Sequence, residues 1–139
     1  MVNRDILLAK FNHIQMNLNR LKEKQSLPLN DFLAQNDAQD IVLFNMQAAI
    51  QGCIDVASHI ISDNNWGIPA NFGNLFDILH EHQVITVETR DIMRSMAGLR
   101  NLIVHEYGTL DFRRIYELFT SRLTDFHTYL KEIAHYSKL

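Results

Sequence analysis

Apolar positions recur at helical spacing along most of the chain. The first segment carries one such stripe, formed by Leu7, Phe11, Ile14, Leu18 and Leu21. Steps of three and four residues place these side chains on one face of an α-helix, with charged residues on the remaining surface. The pattern predicts a helix from residue 3 to about residue 24. Pro28 ends the helical stretch, because proline disfavours helical geometry in the residue before it.

The longest predicted helix begins at Asn36 or Asp37 and continues to about Ser62. Small residues are frequent in this helix: Ala48, Ala49, Gly52, Ala57 and Ser58. A neighbouring helix can therefore approach this segment closely. The segment 63–69 contains Asn, Gly and Pro, which are typical turn residues, and it predicts a loop.

Three further helices follow this loop. A short one begins near Phe72 and ends near His82, and the next is capped by Thr86 and ends near Gly108. The last is capped by Thr109 or Asp111, and its apolar stripe is Phe112, Ile115, Phe119, Leu123, Phe126, Leu130 and Ile133. We therefore predict an all-α fold, an antiparallel helical bundle with four long helices plus short ones. The pattern shows no interdomain linker, so a single domain over residues 1–139 is expected.

Composition agrees with a helical globular protein. The chain of 139 residues has five Gly and two Pro, too few for the many tight turns of a β-sandwich or barrel. Cys53 is the only cysteine, which excludes an intrachain disulfide and suits a reducing compartment. We find no signal-peptide pattern and no uninterrupted apolar run of about 18 residues. A cytoplasmic protein without a membrane partner is expected.

The charge balance limits the kind of nucleic-acid binding to expect. Thirteen basic and sixteen acidic residues give a formal net charge of −3. A protein that follows long duplexes usually carries a large basic field, which this composition does not provide. Action on a few phosphates needs only a local cluster of basic groups, and it stays compatible with the sequence.

The segment RNLIVHEY, residues 100–107, contains the strongest candidate chemistry. On a continuous helix Arg100 and Tyr107, seven residues apart, share one line, whereas Arg100 and His105 diverge by about 140°. One chain therefore does not easily direct both side chains at a single phosphate. The helix could distort at its end, the arginine stem could wrap around it, or a second chain could complete the site. We favour a two-fold dimer, which brings the segment together from both subunits.

These residue types suit RNA cleavage without a metal or other cofactor. Histidine, with an ordinary pKa of about 6.5, can take the 2′-hydroxyl proton or protonate the leaving 5′-oxygen. Arginine stays charged and can hold two phosphate oxygens while negative charge builds. The products would be a 2′,3′-cyclic phosphate and a free 5′-hydroxyl. Asn101, on the histidine side, could orient the substrate or the imidazole.

A purely structural interpretation of the same segment is also open. In that case Arg100 pairs with a surface acid, His105 interacts with the C-terminal end of its helix, and Tyr107 packs on the core with its hydroxyl in water. Arg113 and Arg114 either extend a phosphate path or belong to a solvated helix start. Other polar pairs are weaker: two histidines in His80–His82 cannot share a metal on one helix, and Asp55 with His59 shows no third ligand.

The segment resembles the signature of HEPN-domain ribonucleases, and with its trailing tyrosine it resembles the HepT branch, the toxin half of HepT/MntA toxin–antitoxin pairs. The pattern is arginine, a polar residue, three apolar residues, histidine, any residue and tyrosine, matched at Arg100, Asn101, His105 and Tyr107. The resemblance extends to the long helix with AAIQGCIDVASHII, the loop after it and the short helix before the motif.

The resemblance implies a role for each matched residue. Arg100 and His105 would be the ribonuclease pair in a composite site at a homodimer interface, acting on RNA. Tyr107 would accept AMP from ATP through an MntA-type nucleotidyltransferase antitoxin, which silences the toxin. On the continuous helix, the added phosphate would lie on the Arg100 line and occupy the arginine. The alternative is a non-catalytic HEPN-like module that binds a nucleotide or a nucleotidyltransferase partner, and a structural helical dimer is a third possibility.

Overall fold

The structure, a computed structural model, describes residues 3–139, so the first two residues of the predicted domain lie outside the described residues. Within that range it contains seven α-helices, one 3₁₀ turn and no strand. Their bounds are α1 Arg4–Lys24, α2 Leu29–Ala34, α3 Asn36–Asp63, α4 Phe72–Glu81, α5 Val87–His105, the 3₁₀ turn Tyr107–Thr109, α6 Phe112–Ser121 and α7 Thr124–Ser137. The predicted all-α bundle is confirmed.

Helix α3 forms the centre of the bundle, in contact with α1, α2, α4, α5 and α6. By length and composition alone it could cross a membrane, but 56% of its most apolar window is buried among the other helices, as in the core helix of a globular fold. Helix α7 is fastened to it by a buried hydrogen bond, in which Tyr129 Oη donates to the carbonyl oxygen of Cys53 at 2.9 Å. Helix α5, which carries Arg100 and His105, also packs directly on α3.

The small residues of α3 permit the close approach that the sequence predicts. Ile14 of α1 fits against Gly52, where an added Cβ would lie only 2.5 Å from Cγ1 of Ile14. Both Ile14 and the neighbouring Cys53 are fully buried. A glycine at this position therefore sets the spacing between α1 and α3.

The predicted last helix is divided into α6 and α7. Asp111 caps α6, accepting from the backbone N–H of Arg113 at 3.0 Å, as predicted. The break follows at Arg122, just after Ser121, whose hydroxyl donates to a backbone carbonyl of the preceding turn, at Glu117, at 2.6 Å. Such back-bonding competes with the helical hydrogen-bond ladder. Leu123 stays buried as predicted, so the apolar stripe continues across the break although the helix does not.

The motif helix α5 ends at His105, three residues before the predicted end near Gly108. Thr86 caps its N-terminus as predicted, accepting from the backbone N–H of Thr89 at 3.2 Å. At the other end Glu106 leaves helical geometry, with φ −134° and ψ 41°. Tyr107 then begins a 3₁₀ turn. The prediction that Arg100 and Tyr107 share one line of a continuous helix is therefore wrong.

Candidate functional site

Arg100 is held by neutral groups on three sides. Its Nε donates to Oε1 of Gln51 on α3 at 3.1 Å, and its Nη1 donates to Oδ1 of Asn101 at 3.1 Å. The guanidinium also lies over the ring of Phe72 on α4, with Cζ 5.0 Å from the ring centroid. In the part of the chain that the structure describes, no carboxylate forms an ion pair with Arg100. The side chain is oriented while its positive charge stays unneutralised.

Gln51 links this arginine to a second charged group. While its Oε1 accepts from Arg100, its Nε2 donates to Oδ1 of Asp55 at 3.0 Å. The carboxylate thus fixes which way the amide faces, and the amide oxygen points to the guanidinium. Sequence reasoning missed Gln51, because nothing in the local pattern marks a glutamine that lies 49 residues before the arginine.

His105 is the last residue of α5 and is exposed to solvent. Its ring makes no hydrogen bond to any residue within 3–139, and none joins it to Arg100. The apolar neighbours Leu102 and Val104 are also exposed, by 45% and 42%. Arg100 faces α3 and α4 while His105 faces outward, so one chain does not bring the predicted pair together.

Asn101 is exposed on α5 and takes part in orienting the arginine. Its Oδ1 accepts from Arg100 Nη1 at 3.1 Å. The spacing of four residues between Asn101 and His105 predicts this side chain on the histidine side. The long arginine stem instead reaches the neighbouring residue. Among the described residues, Asn101 therefore contacts Arg100 and makes no hydrogen bond to His105.

Tyr107 lies in the 3₁₀ turn and is 50% exposed. Its hydroxyl donates to Oδ1 of Asp40 on α3 at 2.5 Å. This hydrogen bond is the largest cause that raises the pKa of Tyr107 above its ordinary value, with desolvation and the charge of Asp40 adding to it. The two residues are 67 positions apart, so no sequence pattern pointed to Asp40.

A groove of about 970 Å³ runs beside the motif, between α5 and α6. Leu99 and Leu102 of α5 line one wall, and Ile115 and Leu118 of α6 line the other. Arg114, at the start of α6, lines the same groove and is exposed. An apolar groove of this size next to exposed apolar side chains is typical of a surface that another molecule covers.

The remaining histidine candidates make contacts within the fold. The ring of His82 stacks on Trp66 with centroids 3.9 Å apart, so this histidine packs against the loop that follows α3. His80 Nδ1 lies 3.1 Å from the carbonyl oxygen of Ile85. Between residues 3 and 139 no group of three or more His, Cys, Asp or Glu side chains could hold a metal ion.

Comparisons with known proteins agree with the motif. The family model described as Ribonuclease HepT-like matches residues 14–133. The mRNA nuclease HepT of Shewanella oneidensis is 30% identical over 129 residues, which cover 93% of this chain and 96% of that protein. The tRNA nuclease HepT of Aphanizomenon flos-aquae is 29% identical over 119 residues, covering 86% and 81%.

The fold is also similar to solved structures. One is the tri-AMPylated HEPN toxin of Shewanella oneidensis in complex with its MNT antitoxin, which matches with a TM-score of 0.88 and 28% identity. The match covers 96% of this chain and 99% of that one. The similarity therefore extends over nearly the whole of both chains.

Proposed function

The chain belongs to the Ribonuclease HepT-like family, and we propose that it is the toxin of a toxin–antitoxin pair, a metal-independent endoribonuclease in which Arg100 and His105 act at a homodimer interface. The family match confirms the resemblance to HEPN-domain HepT proteins, and with it the assignment of the chain as an RNA-cleaving enzyme. The residue roles, the dimer and the absence of a metal requirement are our proposal.

The observation that carries the proposal is the state of Arg100. Gln51 and Asn101 orient its guanidinium without neutralising it, and Nη2 has no hydrogen-bond partner among the described residues. An arginine used only for structure usually pairs with an acid. A fixed cation with a free N–H group can bind a phosphate oxygen and stabilise the charge that builds in the transition state.

His105 supplies proton transfer in this scheme. An exposed imidazole without a hydrogen-bond partner among residues 3–139 is free to contact the ribose 2′-hydroxyl or the leaving 5′-oxygen. Attack of the 2′-oxygen on the adjacent phosphorus breaks the bond to the 5′-oxygen. The products are a 2′,3′-cyclic phosphate and a 5′-hydroxyl. In this scheme neither the attack of the 2′-oxygen nor the departure of the 5′-oxygen needs a metal ion. Proton transfer of this kind contributes roughly 10²–10⁴-fold to a rate.

A second copy of the chain would complete the site. The two side chains face different directions on one α5, so the arginine of one subunit is proposed to meet the histidine of the other. Exposure of Leu102 and Val104 beside His105, and the groove between α5 and α6, support covering of this surface by the partner copy. The exposed Arg113 and Arg114 at the start of α6 would extend the path for RNA phosphates.

Tyr107 is the proposed acceptor of AMP from an MntA-type nucleotidyltransferase antitoxin. The ring is half exposed at the end of the motif helix, where an enzyme can reach its hydroxyl. Because Tyr107 follows His105 by two residues, an anionic adenylyl group there would repel RNA phosphate and occupy the path to the histidine. This replaces the expectation that the group would occupy Arg100. Toxin, antitoxin and RNA would meet in the cytoplasm.

Growth of cells that express this chain tests the proposal. Wild type is expected to arrest growth, and His105→Ala is expected to relieve the arrest at equal protein level. His135→Ala, another exposed histidine, on α7, is the matched control and should arrest growth like wild type. Arrest by His105→Ala as strong as wild type would favour the alternative, a non-catalytic module that binds a nucleotide or a nucleotidyltransferase.

A further inference from the structure

The hydrogen bond between Tyr107 and Asp40 joins the proposed modification site to the central helix. Tyr107 Oη donates to Asp40 Oδ1 at 2.5 Å, a short distance that is typical of a hydroxyl bound to a carboxylate. Asp40 is exposed on α3 and has no cationic side chain within ion-pairing distance in the described part of the chain. Its carboxylate is therefore available to the tyrosine.

We propose that Asp40 is the base that activates Tyr107 for adenylylation, so that the toxin supplies part of the machinery for its own silencing. This inference rests on the proposed role of Tyr107 as AMP acceptor. Asp40 touches the reacting oxygen directly, and the arrangement is a nucleophile with an adjacent general base. The base belongs to the chain that is modified and not to the enzyme that modifies it.

The step balances with a nucleoside triphosphate as co-reactant. The phenolic oxygen attacks the α-phosphorus of ATP, and the bond from that phosphorus to the bridging oxygen of the β-phosphate breaks. Pyrophosphate leaves, and the phenolic proton passes to Asp40. A phenol with a pKa near 10 is almost entirely protonated at neutral pH, so removal of this proton during attack lowers the barrier.

The same contact is lost in the product. An adenylylated tyrosine oxygen has no proton to donate, and its phosphodiester adds a negative charge close to the Asp40 carboxylate. Like charges at this distance repel, so the modified Tyr107 is expected to leave Asp40. The hydrogen bond thus exists only before the reaction, when it holds the nucleophile in place.

Adenylylation of purified variants tests this inference. The chain is incubated with its nucleotidyltransferase partner, Mg²⁺ and ATP, and intact mass gives the initial rate of AMP addition. Asp40→Asn keeps the size and a hydrogen-bond acceptor but cannot take the proton, and its rate at pH 7 should fall by roughly 10²–10⁴-fold. Asp37→Asn, one turn earlier on the same exposed face, is the matched control and should react like wild type.

The pH profile separates a base from a merely structural contact. In Asp40→Asn the phenol has to ionise by itself, so the ratio of its rate to the wild-type rate should rise about tenfold per pH unit between pH 6 and 8. The ratio cancels the pH dependence of the partner enzyme. A ratio near one, or a reduced ratio that does not change with pH, overturns the role of Asp40 as base.

Tyr107→Phe keeps this outcome distinct from failure of the proposed function. Loss of all AMP addition in Tyr107→Phe supports the acceptor assignment. If wild type is not modified, or if Tyr107→Phe is modified as fast as wild type, the acceptor assignment and the role of Asp40 both fall. If Tyr107→Phe abolishes AMP addition but the ratio of the Asp40→Asn rate to the wild-type rate is near one or does not change with pH, Tyr107 stays the acceptor and its base lies elsewhere.

Discussion

Arg100 donates a hydrogen bond from Nε to Oε1 of Gln51 at 3.1 Å, which ties the motif helix to the central helix α3. Gln51 is itself fixed, because its Nε2 donates to Asp55. The position of the guanidinium therefore depends on α3 as well as on α5, the helix that carries Arg100. In the proposed role of Arg100, a guanidinium oriented before substrate arrives would contribute to catalysis.

Replacement of Gln51 should lower the rate of RNA cleavage without unfolding the protein. Gln51→Ala keeps the charge of Arg100 but removes its anchor, and we expect roughly a tenfold loss, about 1.4 kcal/mol of transition-state stabilisation. Arg100→Ala should cost roughly 10²–10³-fold. Because both variants disturb one interaction, the double variant should be no slower than Arg100→Ala. Gln47→Ala, one turn earlier on α3, is the control. If the losses of rate in Gln51→Ala and Arg100→Ala multiplied in the double variant, Gln51 would act independently of Arg100.

Mixed dimers test whether the site is shared between subunits. If Arg100 of one chain meets His105 of the other, a dimer of one Arg100→Ala chain and one His105→Ala chain keeps one intact site. Co-expression at equal levels makes half of the dimers mixed, so about a quarter of the wild-type cleavage rate should return, although each variant alone should keep only about one hundredth of that rate or less. Mixed dimers that form but stay inactive would contradict a site built from one arginine and the opposite histidine.

Alkaline pH should destabilise the fold through Cys53 and Tyr129. Burial is the largest cause that raises the pKa of both groups, with smaller contributions from Asp55 at Cys53 and from Cys53 at Tyr129. A raised folded-state pKa gives stability that is complete below the unfolded-state pKa and is lost as pH rises above it. For cysteine the loss begins near pH 8.5, and for tyrosine near pH 10.

We therefore expect the free energy of unfolding to fall by up to about 1.4 kcal/mol per pH unit between pH 8.5 and 10. Denaturant titrations at several pH values measure this slope. Cys53→Ala should flatten it in that range while leaving the decline above pH 10, where Tyr129 dominates. An unchanged slope in Cys53→Ala would mean that other groups cause the loss.

The contact between Gly52 and Ile14 predicts that the effect of Gly52→Ala on the free energy of unfolding changes sign when Ile14 is replaced. Gly52→Ala should lower the free energy of unfolding by about 1–3 kcal/mol, because the new Cβ would meet Cγ1 of Ile14. In an Ile14→Ala background the same change should raise it by up to about 1 kcal/mol, since alanine favours the helix over glycine. Thermal or denaturant unfolding of the four proteins measures this coupling. The same effect in both backgrounds would contradict the contact.

The sequence predicted the helices because their apolar positions repeat at helical spacing, and it predicted the close packing at Gly52 from the small residues of α3. The ends of elements were harder to predict. Helix α5 stops at His105 although the residues after it do not exclude helix, and a hydroxyl of Ser121 competes with the ladder before the break that separates α6 from α7. Such choices depend on hydrogen bonds that only the folded chain defines.

The candidate site also combines residues that the sequence predicted with residues that it could not. Residue types and spacing predicted Arg100, His105 and Tyr107 as site residues, and helix geometry predicted that the first two would face different directions. Gln51 and Asp40 could not be found, because they reach the motif from α3 across 49 and 67 positions of sequence. Long-range partners of this kind leave no periodic signal in a single sequence.

Cleavage of RNA by the purified protein in the presence of EDTA tests the central claim most directly. We expect wild type to produce fragments that end in a 2′,3′-cyclic phosphate, and His105→Ala to be slower by roughly 10²–10⁴-fold while keeping the wild-type mass by light scattering. Equal rates for the two proteins, or cleavage that stops when the metal is removed, would contradict a metal-independent ribonuclease built on Arg100 and His105.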